Sequence, residues 1–339
     1  MQLDADPRPE TTATASVAPV TRNRLVAVVV THNRLAQLKT TVRALLASAQ
    51  NDLAAVLVVD NASDDGTAGW LAAQSDKRLC VLTSRANLGG AGGFETGLRH
   101  AVHTLRPDWV VVMDDDARPE QGALAAFHTL DLRGWDGLAA AVRHPDGTIC
   151  EMNRPTLNPF WHKRLLLRTA LGGGRGAFHL GPQDFARTGT RPIDGASFVG
   201  LFLSAKIFDA AGYPDGKLFL YGDDAIYTLG LTRAGYRLGF DPSVRFEHDS
   251  TTYSTQDRRI KPLWKVYYYH RNLLILYRLA TGAFFLPVLM VVLPRWLGRV
   301  RHHSGERRAF LRLFGMAIRD GLARRTDVAH SEVLKRAER

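Results

Sequence analysis

Cysteine is scarce in this 339-residue chain, which has only Cys80 and Cys150. Two isolated cysteines are too few for a disulfide framework or a cysteine-based zinc site, so both are expected to be buried as small apolar residues. The sequence also lacks an internal repeat and a Gly-x-Gly-x-x-Gly fingerprint, which disfavours a dinucleotide site. No uncharged apolar run reaches the ~20 residues that a membrane-spanning helix needs.

Acidic residues are outnumbered, 33 against 44 basic ones, and the excess is concentrated near the carboxyl end. Residues 295–339 contain twelve Lys or Arg and five Asp or Glu, whereas residues 279–294 carry no charge. A short apolar segment with basic neighbours is typical of a helix that lies on an anionic membrane surface. The alternative is a core helix followed by a solvated basic helix. No groove-reading motif accompanies the basic residues, so no nucleic-acid partner is expected.

Residues 1–23 are rich in Thr, Ala, Pro and Asp and have no apolar period, which predicts a disordered tail. They lack the basic start and apolar block of a secretory signal, so we expect a cytoplasmic location, at the inner face of the membrane. We predict a catalytic domain over residues 24–255 and a helical, basic region over residues 256–339 that contacts a membrane. A homo-oligomer is compatible with the sequence, which does not indicate an oligomeric state.

Strand and helix patterns alternate along the first third of the chain. Apolar runs predict strands at residues 25–30, 54–59, 79–82 and 109–113, with helices over residues 35–46, 67–73 and 87–105. This alternation predicts a Rossmann-like α/β fold, a mainly parallel sheet with helices on both faces. Further on we expect strands at 138–143, 148–152, 196–204 and 237–240, a long loop over 153–189, helices over 205–211 and 223–234, and mainly helix from residue 262.

Polar residues follow three of the predicted strands. Residues 31–34 follow the first, Asp60 the second, and the triplet Asp114, Asp115 and Asp116 the fourth. The carboxyl ends of parallel strands share one edge, where open α/β folds bind ligands. Three adjacent carboxylates repel one another unless a cation neutralises them, and Mg²⁺ and Mn²⁺ prefer oxygen ligands. A metal site is therefore one interpretation of the triplet, and a solvated acidic turn is the other.

Glycine is concentrated at residues 89–93, at the start of the third predicted helix. Glycines there bring unobstructed backbone N–H groups to a helix start, which suits a diphosphate or a ribose.

Together these motifs resemble the inverting family 2 glycosyltransferases of the GT-A fold, and in order and spacing their galactofuranosyl- and rhamnosyltransferase branch. The matching segments are residues 29–34, 59–63, 87–93, 113–116, 221–227 and 247–249. The resemblance implies a metal-dependent enzyme of cell-envelope polysaccharide synthesis that uses Mn²⁺ or Mg²⁺. Its implied donor is a nucleoside-diphosphate sugar (UDP or dTDP, with galactofuranose or rhamnose), and its implied acceptor is a glycan or a polyprenyl-diphosphate-linked glycan.

The resemblance also implies roles for individual residues. Asp114, Asp116 and His248 would bind the metal, while the carboxylate of Asp224 would be the catalytic base and Asp223 would bind hydroxyl groups. Simple capping of the following helix is the alternative for that pair. The implied donor-binding residues are Thr31, Asn33, Arg34, Asp60, Asn87, Gly89, Gly90 and Asp115.

Two features leave the acceptor open. Residues 195–200 contain one aromatic side chain, Phe198, where galactofuranosyltransferases carry paired tryptophans. An aromatic and basic cluster either holds a lipid diphosphate or packs the terminal helices; its members are Trp264, Tyr267, Tyr268, Tyr269, Arg271 and Asn272.

Two other functions are alternatives. A sugar-1-phosphate nucleotidyltransferase would need a Gly-rich loop with Arg and Lys after the first strand, which residues 31–34 are not. A catalytically silent sugar-nucleotide-binding protein would need the same binding residues without the reaction.

Overall fold

The computed structural model describes residues 23–249 and 259–338. Within them, four parallel strands form the first half of the sheet: β1 (Leu25–Thr31), β2 (Ala55–Asp60), β3 (Leu79–Thr83) and β4 (Trp109–Asp114), in the order β3-β2-β1-β4. Strands β1 and β2 are buried along their whole length, because helices cover both faces and their β-branched side chains fill both layers. The strand β3 lies at the edge of the sheet, and its Cys80 is half-buried rather than buried as predicted.

Alternate residues of β1 pack into opposite layers of the core. Val28 and Val30 lie in one layer, against the helix α3 (Gly89–His100). That helix continues as a π-helical turn, Ala101–Leu105. Ala27 and Val29 lie in the other layer, with the apolar face of α1 (Leu35–Leu46). The helix α2 (Thr67–Ala72) follows β2. The predicted α/β fold is therefore confirmed, with its carboxyl strand ends on one edge.

The second half of the sheet is mixed rather than parallel. Its elements in chain order are β5 (Ala117–Pro119), α4 (Ala123–Thr129), β6 (Gly137–Arg143), α5 (Lys163–Arg168), α6 (Pro182–Phe185), β7 (Arg191–Ile193), β8 (Leu201–Ser204), α7 (Lys206–Ala211), α8 (Asp223–Arg233) and β9 (Leu238–His248). The strand β8 runs antiparallel to β4 and β6, while β9 is parallel to β6 and antiparallel to β5 and β7. The long strand β9 thus runs from the core to β5, which begins just after the carboxyl end of β4.

Two local predictions are wrong. Residues 148–152 form no strand, because the chain turns into a 3₁₀-helix, Glu151–Asn153, with only Ile149 bridging back to Arg143. The turn carries Cys150 and Asn153 inward, next to the last residue of β9. The predicted loop over residues 153–189 contains α5, α6 and further single helical turns. The predicted tail and the predicted domain boundary at residue 255 fall outside the described residues.

The carboxyl-terminal region is helical, as predicted, with α9 (Lys265–Thr281), α10 (Phe285–Leu297), α11 (Arg307–Leu322) and α12 (His330–Glu338). Its own apolar cluster joins α9 to α11 through Tyr267, Phe310 and Leu313. The helical run from Lys265 to His302 has the length and hydropathy of a membrane span, and its most apolar stretch is only 11% buried. That run is interrupted by a 3₁₀ turn, Gly282–Phe284, between α9 and α10.

Candidate active site

The aspartate triplet stands at the carboxyl end of β4, where Asp114 pairs with Val30 of β1. The chain turns after Asp114, and Asp115 points back to β1, where its Oδ2 accepts a hydrogen bond of 2.8 Å from the hydroxyl of Thr31. The other oxygen of Asp115, Oδ1, is buried and lies 3.4 Å from Nη1 of Arg34. Asp114 and Asp116 instead face His248.

His248 is the last residue of β9, and the antiparallel pairing of β9 with β5 brings it opposite Ala117. Its Nε2 lies 3.1 Å from Oδ1 of Asp116. Ligand atoms of Asp114, Asp116 and His248 all lie within 4.8 Å of one another. Two carboxylates and one imidazole at that spacing fit Mn²⁺ or Mg²⁺, whose remaining positions suit diphosphate oxygens and water.

Asn153 orients the imidazole, although nothing in the sequence singles it out. Its Oδ1 accepts from Nδ1 of His248 at 2.7 Å, which leaves Nε2 directed at Asp116. Cys150, buried as predicted, donates its thiol to the same oxygen at 3.0 Å, and Ser197 accepts from Nδ2 of Asn153. An outer hydrogen bond of this kind fixes the tautomer of a metal-ligating histidine.

Carboxylates and cationic side chains shift one another's pKa values in this site. Burial and the neighbouring charge of Asp116 raise the pKa of Asp114 to about 7, and burial raises the pKa of Asp115 to about 6 despite the opposing Arg34. The pKa of Asp116 is lowered, because His248 and Arg34 outweigh the effect of burial. Burial disfavours the imidazolium of His248, but Asp116 raises its pKa to about 10. The cluster therefore stabilises cations.

Arg34 supplies one of those cations. Its Nη2 donates to Oδ2 of Asp116 at 2.8 Å, and its Nη1 lies 3.4 Å from Oδ1 of Asp115. Asn33 makes different contacts. Its N–H donates to the hydroxyl of Ser63, and its side-chain oxygen accepts from the N–H of Asp64. Of these two predicted donor-binding residues, Arg34 thus lies at the triplet, whereas Asn33 joins the loops that follow β1 and β2.

Asp60 and Asn61 follow β2 on the same edge. Oδ1 of Asp60 accepts from the N–H of Ser63 at 3.0 Å, while its Oδ2 is buried and has no hydrogen-bond partner within residues 23–249 and 259–338. Asn61 donates to the carbonyl of Gly89 at 2.9 Å, and the Oδ1 of Asn87 accepts the N–H of Gly89 at 2.8 Å. Asn61 and Asn87 therefore hold the glycine-rich helix start beside Asp60.

Packing explains most of the glycine cluster. A Cβ on Gly89 would lie 2.0 Å from the carbonyl oxygen of Phe219, and one on Gly93 would lie 2.5 Å from Val30 of β1. Gly89 also has a φ of +71°, which favours glycine. Gly90 differs, because a Cβ there would meet no atom of the described residues within 4 Å. Of the two glycines predicted to bind the donor, Gly90 is the one that faces open space.

Asp223 and Asp224 begin the helix α8. Its cap residue is Gly222, and no side chain caps the helix, although Oδ1 of Asp224 accepts from the N–H of Ala225 at 2.6 Å. Burial and the charge of Asp224 raise the pKa of Asp223 to about 8, and burial raises the pKa of Asp224. The charge of Asp114 contributes to the raised pKa of Asp223, so the pair lies within electrostatic range of the triplet. Backbone N–H groups at the helix start therefore hydrogen-bond both carboxyls, while burial keeps both pKa values raised.

The segment before α8 has a strained backbone. Phe219 and Tyr221 have φ values of +66° and +72°, in a region that side-chain-bearing residues rarely adopt. The buried amide of Asn272, on α9, donates to the carbonyls of Leu218, Leu220 and Tyr221 at 3.0, 2.9 and 2.8 Å. The carboxyl-terminal region therefore holds the loop that positions Asp223 and Asp224.

Arg271 completes that clamp. It is fully buried, donates to the carbonyl of Leu218 at 2.8 Å and to Oδ1 of Asn272 at 2.8 Å, and its guanidinium lies 5.1 Å from the ring centres of Tyr267 and Tyr268. These residues belong to the aromatic and basic cluster, and their burial favours packing over a lipid diphosphate site. Phe198 is likewise buried, between Phe94 and Tyr227, rather than exposed for sugar stacking.

We expect Asn272→Ala to lower kcat by ~10²-fold, the cost of displacing a catalytic group by about 1 Å. Its loss would leave three loop carbonyls without their donor while the metal ligands are untouched, so affinity for metal and nucleotide should be retained. Arg278→Met is the control, because it removes a different hydrogen bond of α9, to the carbonyl of Leu322, which lies away from the loop. Steady-state kinetics measure kcat, and nucleotide titration measures affinity, in both folded variants. Equal losses of kcat in the two variants would contradict a positioning role.

Comparison with known proteins agrees with this geometry. Residues 26–173 match the glycosyl transferase family 2 profile. Galactofuranosyltransferase GlfT1 of Mycolicibacterium smegmatis is 31% identical over 232 residues, which cover 67% of this chain and 71% of that protein. The N-acetylglucosaminyl-diphospho-decaprenol L-rhamnosyltransferase of Mycobacterium tuberculosis is 27% identical over 218 residues, 57% of this chain and 66% of its own length.

A solved structure supports the fold alone. The mannosyltransferase PcManGT from Pyrobaculum calidifontis, solved with GDP-Man and Mn²⁺, superposes with a TM-score of 0.52 at 18% identity over 94% of this chain and 87% of its own. The sheet and the helices on its two faces have the GT-A fold. The chain belongs to glycosyltransferase family 2, in its galactofuranosyl- and rhamnosyltransferase-like branch.

Proposed function

We propose that the chain is a metal-dependent inverting glycosyltransferase of cell-envelope polysaccharide synthesis. It transfers galactofuranose or rhamnose from a UDP- or dTDP-linked donor to a glycan or polyprenyl-diphosphate-linked acceptor. The observation that carries the proposal is the convergence of Asp114, Asp116 and His248 next to the pair Asp223 and Asp224. The similar proteins support the substrate classes, because their names specify galactofuranosyl transfer and rhamnosyl transfer to N-acetylglucosaminyl-diphospho-decaprenol.

Asp114, Asp116 and His248 would hold Mn²⁺ or Mg²⁺. When bound, the ion supplies Lewis-acid neutralisation of the departing nucleoside diphosphate. The chain's own contribution is a set of carboxylates whose mutual repulsion a cation relieves, and an imidazole whose tautomer Asn153 fixes.

Asp224 acts as the general base. The acceptor hydroxyl oxygen attacks the anomeric carbon, the bond from that carbon to the diphosphate oxygen breaks on the opposite face, and the hydroxyl proton passes to Asp224. Burial and the charge of Asp224 raise the pKa of Asp223 to about 8, so Asp223 is the member of the pair that holds a proton at neutral pH. Asp223 then donates a hydrogen bond to a sugar or acceptor oxygen while Asp224 remains ionised.

The donor lies along the edge from β2 to β4. The buried Oδ2 of Asp60 accepts a hydrogen bond from the nucleoside, and Asn87 and Gly90 lie beside the diphosphate. Asp115, held by Thr31 and Arg34, faces the donor ribose or sugar. These roles, with those of Arg34 and Gly89, rest on position and chemistry at the edge of the sheet.

The helix α10 contacts an anionic membrane surface without spanning the bilayer. Its 13 residues extend about 20 Å, short of the ~30 Å apolar core of a bilayer. The preceding helix α9 cannot extend the span, because it is packed on α11 and carries the buried polar residues Arg271 and Asn272. A cytoplasmic location stays a prediction from the amino-terminal sequence.

Donor specificity and catalysis are tested together. UDP-, dTDP- and GDP-sugars are each tested with Mn²⁺ in a thermal-shift experiment. We expect only the true donor to raise the unfolding temperature of the protein, and EDTA to reverse that rise. The same donor should be hydrolysed slowly in a metal-dependent reaction. Binding without turnover for every donor would favour the catalytically silent sugar-nucleotide-binding protein instead. The nucleotidyltransferase alternative has no support once the family is shown.

A further inference from the structure

Exposed apolar side chains are concentrated in two segments of the described chain. The most exposed of all are Leu171 at 78%, Met290 at 72%, Leu286 at 66% and Leu167 at 61%, followed by Val291 and Phe284. Leu167 and Leu171 lie in residues 163–173, which comprise α5 and the helical turn after it, and the others lie in or just before α10. Soluble surfaces rarely concentrate large apolar residues in this way, so a partner is indicated.

The residues that precede the two segments contact each other, although more than 100 residues separate them. The ring of Phe160 lies 6.0 Å from that of Phe284, centre to centre. Asn158 is buried, and its Nδ2 donates to the carbonyl of Ala280, at the end of α9, at 2.8 Å. Residues 163–173 therefore begin next to the amino-terminal end of α10, and the two segments can approach one surface together.

Charge identifies the partner. No acidic residue occurs in residues 155–183 or in residues 260–305. Basic residues flank the exposed apolar side chains in both segments, namely Lys163, Arg164 and Arg168 in α5 and Arg295, Arg299 and Arg301 at the end of α10 and after it. Apolar side chains with a rim of cations and no anions match the interface of an anionic bilayer.

We propose that Leu167 and Leu171 insert into the same anionic phospholipid surface that α10 contacts, so that the protein docks on a membrane at two places. This inference rests on the membrane contact proposed for α10. Two separated contacts fix the orientation of the protein on the bilayer, which a single helix lying flat does not.

The second contact is also joined to the catalytic helix. The backbone N–H of Asn158 donates to Oδ2 of Asp194 at 2.6 Å, and the carbonyl of Asp194 accepts from the hydroxyl of Thr232, on α8, at 2.8 Å. Residues 163–173 are thus connected to the helix that begins with Asp223 and Asp224. Docking there orients that helix relative to the bilayer in which the tail of a lipid-linked acceptor lies.

Vesicle flotation of the full chain tests the proposal. The probes are phosphatidylcholine vesicles with and without phosphatidylglycerol. The double substitutions Leu167→Asp with Leu171→Asp, and Leu286→Asp with Met290→Asp, should each lower binding to the anionic vesicles by ~10-fold or more. A charge-matched control is Ala73→Asp with Val81→Asp, two exposed positions near the edge strand β3, which should bind as the wild type does. Circular dichroism and the donor-induced thermal shift show that each variant is folded with an intact donor site.

The outcomes separate the two proposals. Loss of binding in both test variants, with the control unaffected, supports two-point docking. Loss only in the α10 variant overturns the role of residues 163–173 and leaves the α10 contact standing. Unchanged binding in both variants overturns the membrane contact altogether, as does a wild type that ignores anionic vesicles. Conversion of a wild-type dimer to a monomer by these substitutions, without vesicle binding, would assign the surface to a second copy of the chain.

Discussion

Replacing Asp224 with asparagine should lower the rate of sugar transfer by ~10²–10⁴-fold, the usual contribution of a positioned general base. The amide keeps the shape of the carboxylate and its acceptance of the Ala225 N–H, but it does not take a proton from the acceptor. Binding of metal and nucleotide should stay close to wild type, because the triplet and His248 are unchanged. Single-turnover transfer and nucleotide titration measure the two effects separately.

The pH profile gives an independent check on the same residue. Burial raises the pKa of Asp224 above its ordinary 3.8, and the base works only when ionised. The transfer rate should therefore fall as the pH drops through this raised pKa, on the acid side of the profile. Asp209→Asn, an exposed carboxylate on α7, should leave rate and profile unchanged. If Asp224→Asn weakened donor binding as much as it slowed transfer, the residue would belong to the binding site instead.

Asp223 distinguishes the two members of the pair. An amide at that position still donates a hydrogen bond, as the protonated carboxyl does. Its replacement also removes a neighbouring carboxyl from Asp224. Both residues lie at the start of one helix, but their proposed roles differ. An amide at position 223 can still donate its hydrogen bond, whereas an amide at position 224 cannot take the acceptor's proton.

The sequence predicted the edge of the sheet well because its signals are local. A buried apolar run followed at once by polar residues marks the end of a strand, and Asp60 and Asp114 are indeed the last residues of β2 and β4. Parallel pairing of β1 with both strands then brings these ends together without further information. The start of α8 at Asp223 was local in the same sense.

Local sequence patterns do not predict contacts between segments that are distant in the chain. His248 meets Asp116 across 132 residues because β9 pairs with the three-residue strand β5, which is too short to show an alternation. Only the family resemblance pointed to that histidine. Asn153 behind His248 had no signal, because a single amide in an irregular segment fits many environments. Asn272 was noticed only as part of the aromatic and basic cluster, and nothing in the sequence indicated that it holds the loop before α8.

The glycine cluster shows how one pattern can have two physical causes. Its density was interpreted as open backbone for a diphosphate, yet Gly89 and Gly93 are required by the approach of Phe219 and Val30. Close packing of a helix and a donor site at its start are compatible, since Gly90 remains open. A donor role for Gly89 and Gly90 stays a prediction.

Removing either Asp116 or His248 should have the second large effect, on metal binding. Each supplies one of three converging ligand atoms, and altering even an outer partner of a metal ligand costs ~10–100-fold in affinity. We therefore expect Asp116→Ala and His248→Ala to lower Mn²⁺ affinity by at least that factor and to abolish metal-dependent nucleotide binding. Titration of free Mn²⁺, followed by its paramagnetic resonance signal, measures this without any turnover.

Arg34→Met separates coordination from general electrostatics. It removes the ion pair to Asp116 but leaves all three ligands in place. If the three residues coordinate the ion, Arg34→Met should bind Mn²⁺ at least as tightly as the wild type, since a competing cation has gone. If they only balance charge, Arg34→Met should disturb the site as much as His248→Ala does. Normal Mn²⁺ titrations in both Asp116→Ala and His248→Ala would contradict their assignment as ligands and return the triplet to a solvated acidic turn.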